Sequence, residues 1–295
     1  MGTDRSQLLA VKVLEHSIKR YTDLQVEVTP LLDLPILVPK DPRNRQRTGF
    51  SFARFAIPAL CNYEGRAIYM DADMLVFKDI RSLWEIPFDT AKIIVQEEIS
   101  SDNQHVSKLG APGKRKKQCA VMVLDCAALD WNVDDIVRGM DDDKYNYDEL
   151  LHDICILKED EINYGVPFYW NSLEKHDSET CLIHYTDMLT QPWASPHNDN
   201  DYLWFDEVRL MLKNGSIDMA ELEREVSLGY FRPSLIRDIR YSRFLPGFSK
   251  PAFRKMNAAL DQRSGYVPHK DVYEAKRERQ RAVKEYEKSA LEGEL

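Results

Sequence analysis

The chain has 295 residues, 43% hydrophobic and 30% charged, enough to bury a full core in one large domain or one domain plus an extension. A formal net charge of −9 argues against general nucleic-acid binding. No apolar run approaches the ~20 residues of a membrane span, and no secretory signal is read at the start.

Gly2-Thr3-Asp4 resembles a strand-to-helix turn, with Thr3 or Asp4 placed to cap the next helix. No strand precedes it, so the first strand is read as missing or truncated. Residues 8–21 form an amphipathic helix with Leu9, Val13 and Ile18 on its apolar stripe. Residues 25–29 (QVEVT) alternate like a strand. A loop over 35–49 carries Arg43, Arg45 and Arg47, and a short helix over 50–60 bears Arg54. An apolar strand then ends at Met70, and a second apolar run follows Asp73. A short helix starts at 82–84, and 91–96 (AKIIVQ) is a strand. Residues 97–117 make a long polar loop ending in Lys114-Arg115-Lys116-Lys117, and loops of this length are often functional. Residues 119–125 (CAVMVLD) are a buried strand, and 129–138 and 147–157 are helices. The apolar strand at 180–185 carries His184 near its end, and Pro192-Trp193 closes the core. Helices follow at 205–212 and 219–226. Residues 229–256 are rich in Arg, Pro and aromatics, and 270–295 read as a solvated terminal helix. No internal repeat is present.

Strands alternating with helices indicate an α/β class: an α/β/α sandwich on a mostly parallel sheet, with a helical C-terminal extension. The expected division is 1–204 and 205–295. The five cysteines (Cys61, Cys119, Cys126, Cys155, Cys181) are odd in number and form no Cys-x-x-Cys pair. They read as buried free thiols of a reducing compartment.

The chemistry centres on Tyr69-Met70-Asp71-Ala72-Asp73. Residues two apart in an extended chain point the same way, so Asp71 and Asp73 project together from the end of a buried strand. Burying unpaired carboxylates is costly. A hard divalent cation with oxygen ligands relieves that cost and keeps open positions for phosphates. Asp-x-Asp also occurs at Asp141 and Asp143 and at Asp199 and Asp201, but in stretches of turn composition. His184 falls at another strand end, which makes two carboxylates and an imidazole, a set suited to Mn²⁺.

At these residues the chain resembles the retaining glycosyltransferases of the GT-A (Rossmann-like) fold, family 8, the glycogenin and bacterial galactosyltransferase type. The likeness rests on Phe52-Ala53-Arg54-Phe55-Ala56-Ile57-Pro58, Ile68 to Asp73, and His184-Tyr185 through Gln191-Pro192-Trp193. It implies that Asp71, Asp73 and His184 hold Mn²⁺ (or Mg²⁺) against the diphosphate of a UDP-sugar. It implies a donor contact for Arg54 and places Asp4, Gln118, Gln191 and Trp193 along the donor. Asn171 matches an Asn near the acceptor and joins Asp71 and Asp73 as a catalytic candidate. The chain also departs from the pattern. Gln7 stands where the family has a uracil-stacking Tyr in Asp-x-x-Tyr. Gln118-Cys119-Ala120 replaces a sugar-contacting Asn-x-Gly. The family's Asp-Gln pair corresponds to Asp148-Glu149 or to Leu151-His152. Gln191 replaces a phosphate-touching Lys and carries no charge. The basic stretches 43–47 and 114–117 are candidates to supply that charge.

The implied function is metal-dependent retaining transfer of a hexose to a glycan, lipid-linked or small-molecule acceptor. The competing readings are a non-catalytic carbohydrate- or nucleotide-binding descendant of the fold and a metal-dependent nucleotidyltransferase. No Gly-rich phosphate loop supports the latter. Residues 229–256 mix basic and aromatic side chains in a pattern that suits an anionic membrane surface. A cytoplasmic enzyme, peripheral to the inner face of the membrane, is the matching expectation. Its alternative is a basic-aromatic segment packed on the catalytic domain.

Overall fold

A computed structural model of the chain describes residues 1–96 and 117–292. The Asp4 side chain accepts from the Ser6 amide and caps the 3₁₀ turn Arg5–Gln7, which leads directly into α1 (Leu8–Tyr21). The apolar stripe of α1 is buried, with Leu9, Val13, Leu14 and Ile18 at most 3% exposed. Helix α2 (Ile57–Leu60) extends the 3₁₀ turn Ala53–Ala56 that carries Arg54. Strands β1 (Arg66–Met70) and β2 (Met74–Val76) flank the acidic pair, and α3 (Arg81–Trp84) comes after them. Then come β3 (Ile93–Gln96), β4 (Val121–Asp125), α4 (Val133–Asp141) and α5 (Tyr147–Asp153). A capping box starts α5: Asn146 accepts from the Glu149 amide while the Glu149 carboxylate returns to the Asn146 amide. Strands β5 (Ile162–Val166), β6 (Ser172–Leu173) and β7 (Leu182–His184) complete the sheets.

The larger sheet has the order β1-β4-β3-β5. Strand β4 is antiparallel to both β1 and β3, while β5 is parallel to β3. Three of the four strands therefore share one direction, and β4 is the reversed strand inserted among them. The smaller sheet has the order β2-β7-β6, with β7 antiparallel to β2 and parallel to β6. Alternation sorts the side chains. Met122 and Leu124 join Tyr69, Ile93 and Val95 on one face, packed against Ile136, Met140 and Leu150 of α4 and α5. Val121 and Val123 join Met70 and Ile94 on the other, packed against Leu14 and Ile18 of α1. Burial on both faces explains why these strands read as continuous apolar runs.

Two local expectations change. Residues 25–29 form no strand. Their alternation favours extended backbone, but no neighbour pairs with them, and only the nearby Leu31 bridges, to Gly2. Conversely, β5 carried little apolar signal in Ile-Asn-Tyr-Gly-Val, and pairing with β3 creates it. The helix expected over 147–157 stops at Asp153, where Ile154 turns left-handed (φ 48°).

Beyond the sheets lie α6 (Asp201–Asn214), α7 (Met219–Ser227), α8 (Leu235–Tyr241), α9 (Lys250–Arg263) and α10 (Lys270–Glu292). Trp204, Phe205 and Val208 of α6 share one cluster with Leu9 and Val13 of α1, with Trp193, and with Phe231. The apolar core thus continues across residue 204. No side chain of α10 is buried, although the Arg43 guanidinium lies 5.4 Å from the Tyr286 ring. The basic-aromatic segment divides in two: Phe231 and Arg232 are fully buried, whereas Phe244 and Phe248 are 68% and 88% exposed. None of the five cysteines is in a disulfide; Cys119 and Cys126 are buried as expected, whereas Cys61 and Cys181 are half-buried and Cys155 is exposed. Among the described residues, no helix is long and apolar enough to cross a membrane.

Candidate active site

Strand β1 ends at Met70, so Asp71 and Asp73 leave the carboxyl end of the sheet as expected. The register of β2 on β7 pairs Met74 with His184. That pairing, invisible in the sequence, brings the imidazole to the acids. Ligand atoms of Asp71, Asp73 and His184 all lie within 4.8 Å of one another.

Each of the three is held from behind. The Tyr69 hydroxyl donates to Asp71 Oδ1 at 2.6 Å. Tyr69 precedes Asp71 by two residues and shares its side of the strand. Room for this hydroxyl comes from Gly2, where a Cβ would collide with it. Gln191 Nε2 donates to Asp73 Oδ2 and to the Tyr185 carbonyl, both at 2.9 Å. Asn171 Nδ2 donates to Gln96 Oε1 at 2.5 Å, which turns Asn171 Oδ1 toward His184 Nδ1 at 2.8 Å. His184 therefore donates through Nδ1 and presents Nε2 to Asp73 Oδ1 at 3.1 Å.

The electrostatics call for a cation. Burial pushes the Asp71 carboxyl up, Arg54 opposes it, and the Asp73 charge adds to the rise. Burial lowers His184, but Asp73, Asp71 and Glu174 outweigh it and raise the imidazole overall. Asp73 Oδ1 is buried with no hydrogen-bond partner. Two carboxylate oxygens and one imidazole nitrogen, with Asp73 Oδ1 left without a hydrogen-bond partner, fit a divalent cation such as Mn²⁺. The buried amide of Asn171 fixing the ring from behind is the support that metal-ligating histidines generally have.

Arg54 is close by. Its guanidinium donates to the Cys119 carbonyl at 2.8 Å and to the Tyr69 hydroxyl at 3.2 Å, and lies 3.9 Å from Asp71 Oδ1. The other sequence candidates spread out. Gln191 and Asn171 are fully buried against Asp73 and His184. Gln118 is buried, and its carbonyl accepts from the Gln96 amide at 3.4 Å. Trp193 packs among Tyr185, Trp204 and Phe231. Asp4 takes up Ser6 through both its amide and its hydroxyl.

Of the basic residues in 43–47 and 114–117, Arg43, Arg47 and Lys117 pair with groups other than Asp71 and Asp73. Arg43 pairs with Asp41 and Arg47 with Asp148, beside a cleft of about 860 Å³ whose lining includes neither Asp71, Asp73 nor His184. Lys117 is buried and bonds the Asp153 carbonyl and Glu159. Lys114, Arg115 and Lys116 lie outside the described residues. In α5, Asp148 and Glu149 line the cleft, as does His152, while Leu151 is buried in the core. Sequence reasoning missed Tyr69 and Gln96. Tyr69 had a signal, its i, i+2 spacing to Asp71; Gln96 had none.

Residues 6–136 match the family model of glycosyl transferase family 8. Protein CDI of Arabidopsis thaliana is 26% identical over 230 residues, covering 70% of this chain and 84% of the relative. Among solved structures, a galactosyltransferase LgtC in complex with donor and acceptor sugar analogs aligns with TM-score 0.43 at 13% identity, over 70% of this chain and 93% of that one. The apo-form glycosyltransferase GlyE of Streptococcus pneumoniae aligns with TM-score 0.46 at 13% identity, over 70% of this chain and 58% of that one. The bifunctional WbbM aligns with TM-score 0.44 at 12% identity, over 70% of this chain and 48% of that one. The chain thus spans about half the length of the last two.

Proposed function

From its relationship to glycosyl transferase family 8 over residues 6–136, we propose that this protein moves a hexose from a UDP-sugar to an acceptor with retention at the anomeric carbon. The family match supports glycosyl transfer as the activity. The Asp71, Asp73 and His184 cluster carries the finer reading, because such a set holds a divalent cation against a diphosphate. When bound, the cation supplies Lewis-acid charge to the departing nucleotide. Residues 1–204 are the proposed catalytic part and 205–295 the proposed extension.

The chain's own residues do the rest. Tyr69 and Gln191 orient the two carboxylates, and Asn171 fixes the His184 ring. Arg54 places a buried positive charge beside Asp71, where leaving-group charge develops. The test is a screen of UDP-sugars with and without Mn²⁺ for release of sugar to water. Mn²⁺-dependent release from at least one donor is expected. Loss of every signal, together with intact UDP binding, would favour a non-catalytic binding descendant.

Arg54→Lys checks the donor role. A lysine ammonium cannot reproduce the planar fork that reaches both the Cys119 carbonyl and the Tyr69 hydroxyl. Turnover should fall by about tenfold or more, ~1.4 kcal/mol. Wild-type turnover would remove Arg54 from the donor site.

The proposed setting is the inner face of an anionic membrane. Support comes from Phe244 and Phe248, exposed beside the exposed Arg243 and Lys250. Against it, Arg232 and Arg254 already pair with Asp238 and Asp201. Flotation with anionic vesicles should occur at low salt and vanish at high salt. It should also vanish in Phe244→Ser/Phe248→Ser, which leaves the buried Phe231 in place. A wild-type protein that stays at the bottom of the gradient rejects the attachment.

A further inference from the structure

Strand β3 ends in a polar side chain where its surroundings are apolar. Ile93, Ile94 and Val95 are fully buried, and Gln96 after them is 2% exposed. A buried amide costs free energy unless its polar atoms are used. The ladder also shifts at this residue. Ile94 pairs with Asn163 of β5 but Gln96 pairs with Val166, so two β5 residues, Tyr164 and Gly165, lie opposite Val95. Irregularities of this kind re-aim a side chain and gather beside active sites.

Gln96 is aimed at Asn171. Its Oε1 accepts from Asn171 Nδ2 at 2.5 Å, and Asn171 Oδ1 meets His184 Nδ1 at 2.8 Å. On the far side of the ring, Nε2 lies 3.1 Å from Asp73 Oδ1. Asn171 is 0% exposed, and both ends of its amide are engaged by protein groups. A residue placed this way acts on the ring rather than on an acceptor in solvent.

The direction of the Asn171 amide decides what His184 can do. An amide has one accepting end and one donating end. With Oδ1 toward the ring, Nδ1 carries the proton and the Nε2 lone pair is free for a cation. With the amide reversed, its N–H would face Nδ1 and the proton would sit on Nε2, where the imidazole cannot ligate. Asp73 Oδ1, next to Nε2, by itself favours that second form. The ligating form has to be imposed from the Nδ1 side. Gln96 Oε1 can accept only from the Nδ2 end of Asn171, and so holds the amide in the first orientation.

We propose that Gln96 is a positioning residue, which through Asn171 holds His184 in the tautomer able to bind a divalent cation. This rests on the glycosyltransferase reading and deepens its metal site: the choice is made two residues behind the ligand, on a different strand.

Calorimetric titration of Mn²⁺ into the full chain with UDP present tests it, beside a thermal melt. Gln96→Leu keeps a similar volume and removes the acceptor; it should weaken Mn²⁺ by about tenfold or more, the usual effect of losing support behind a metal-ligating histidine. Gln96→Glu should stay close to wild type, because a carboxylate oxygen also accepts from Asn171 and cannot donate. In Asn171→Leu, adding Gln96→Leu should cost nothing further, because Gln96 acts through Asn171. Independently of any variant's folding, ¹⁵N-histidine spectra of wild type with Mg²⁺ and UDP should show His184 protonated at Nδ1 and unprotonated at Nε2. Wild-type Mn²⁺ affinity in a folded Gln96→Leu, or a proton on Nε2 in the loaded wild type, overturns the assignment and leaves the transferase reading intact. Absence of Mn²⁺ binding to wild type in the presence of UDP overturns both.

Discussion

Asp73→Asn should abolish Mn²⁺-dependent UDP binding while the protein stays folded. The carboxamide has nearly the same shape and still has an oxygen to accept from Gln191 Nε2, now 2.9 Å from Asp73 Oδ2. What it loses is the charge at Oδ1, the buried oxygen that has no hydrogen-bond partner and faces His184 Nε2 at 3.1 Å. UDP affinity in Mn²⁺ should drop by more than about a hundredfold, ~2.7 kcal/mol. His184→Ala should cost less, because a neutral ligand contributes less charge. In the metal-free fold the loss of the Asp73–His184 ion pair is offset by a second effect. The Asp73 charge is one of the forces raising the Asp71 carboxyl, so removing it relieves like-charge repulsion at the end of β1. Calorimetry with and without Mn²⁺, beside a thermal melt, separates these outcomes. Unchanged UDP affinity in a folded Asp73→Asn protein would sink the metal assignment.

Arg232→Met should destabilise the whole chain by about 3–5 kcal/mol, the usual result of removing one partner from a buried ion pair. Arg232 is 0% exposed. It pairs with Asp238 at 2.6 Å, lies 4.0 Å from Asp261 Oδ2, and donates through Nε to the Pro192 carbonyl at 3.1 Å. Without it, two buried carboxylates are left with Ser234 and Asn257 as their side-chain donors among the described residues. Adding Asp238→Asn should recover part of the loss, because the stranded charge is then gone. The Pro192 contact joins this cluster to the loop that carries Gln191, so the melt should remain a single transition. A second, separate transition confined to the C-terminal residues would show that the extension folds on its own. A loss below about 1 kcal/mol would mean the ion pair is solvated in the folded protein.

Much of the fold was legible in the residues alone, because its signals are local. The 3.6-residue stripe of α1 needs only its own side chains, and the structure reproduces its bounds, Leu8–Tyr21. The runs in β1, β3 and β4 are apolar on both faces because helices cover both, and that pattern too is written residue by residue. Asp71 and Asp73 could be paired from their spacing, since period two is a property of any extended chain. Tertiary structure decided the remainder, since a ladder or a hydrogen-bond relay joins segments far apart in sequence. Residues 25–29 alternate yet find no partner, whereas Ile162–Val166 alternates poorly and pairs with β3. His184 reaches the acids through the register of β7 on β2, and its tautomer depends on Asn171 and, behind that, Gln96. Helical period and strand alternation are short-range consequences of backbone geometry. Which buried acceptor lacks a donor is settled only when distant segments have packed and excluded water, as they do around Asp73.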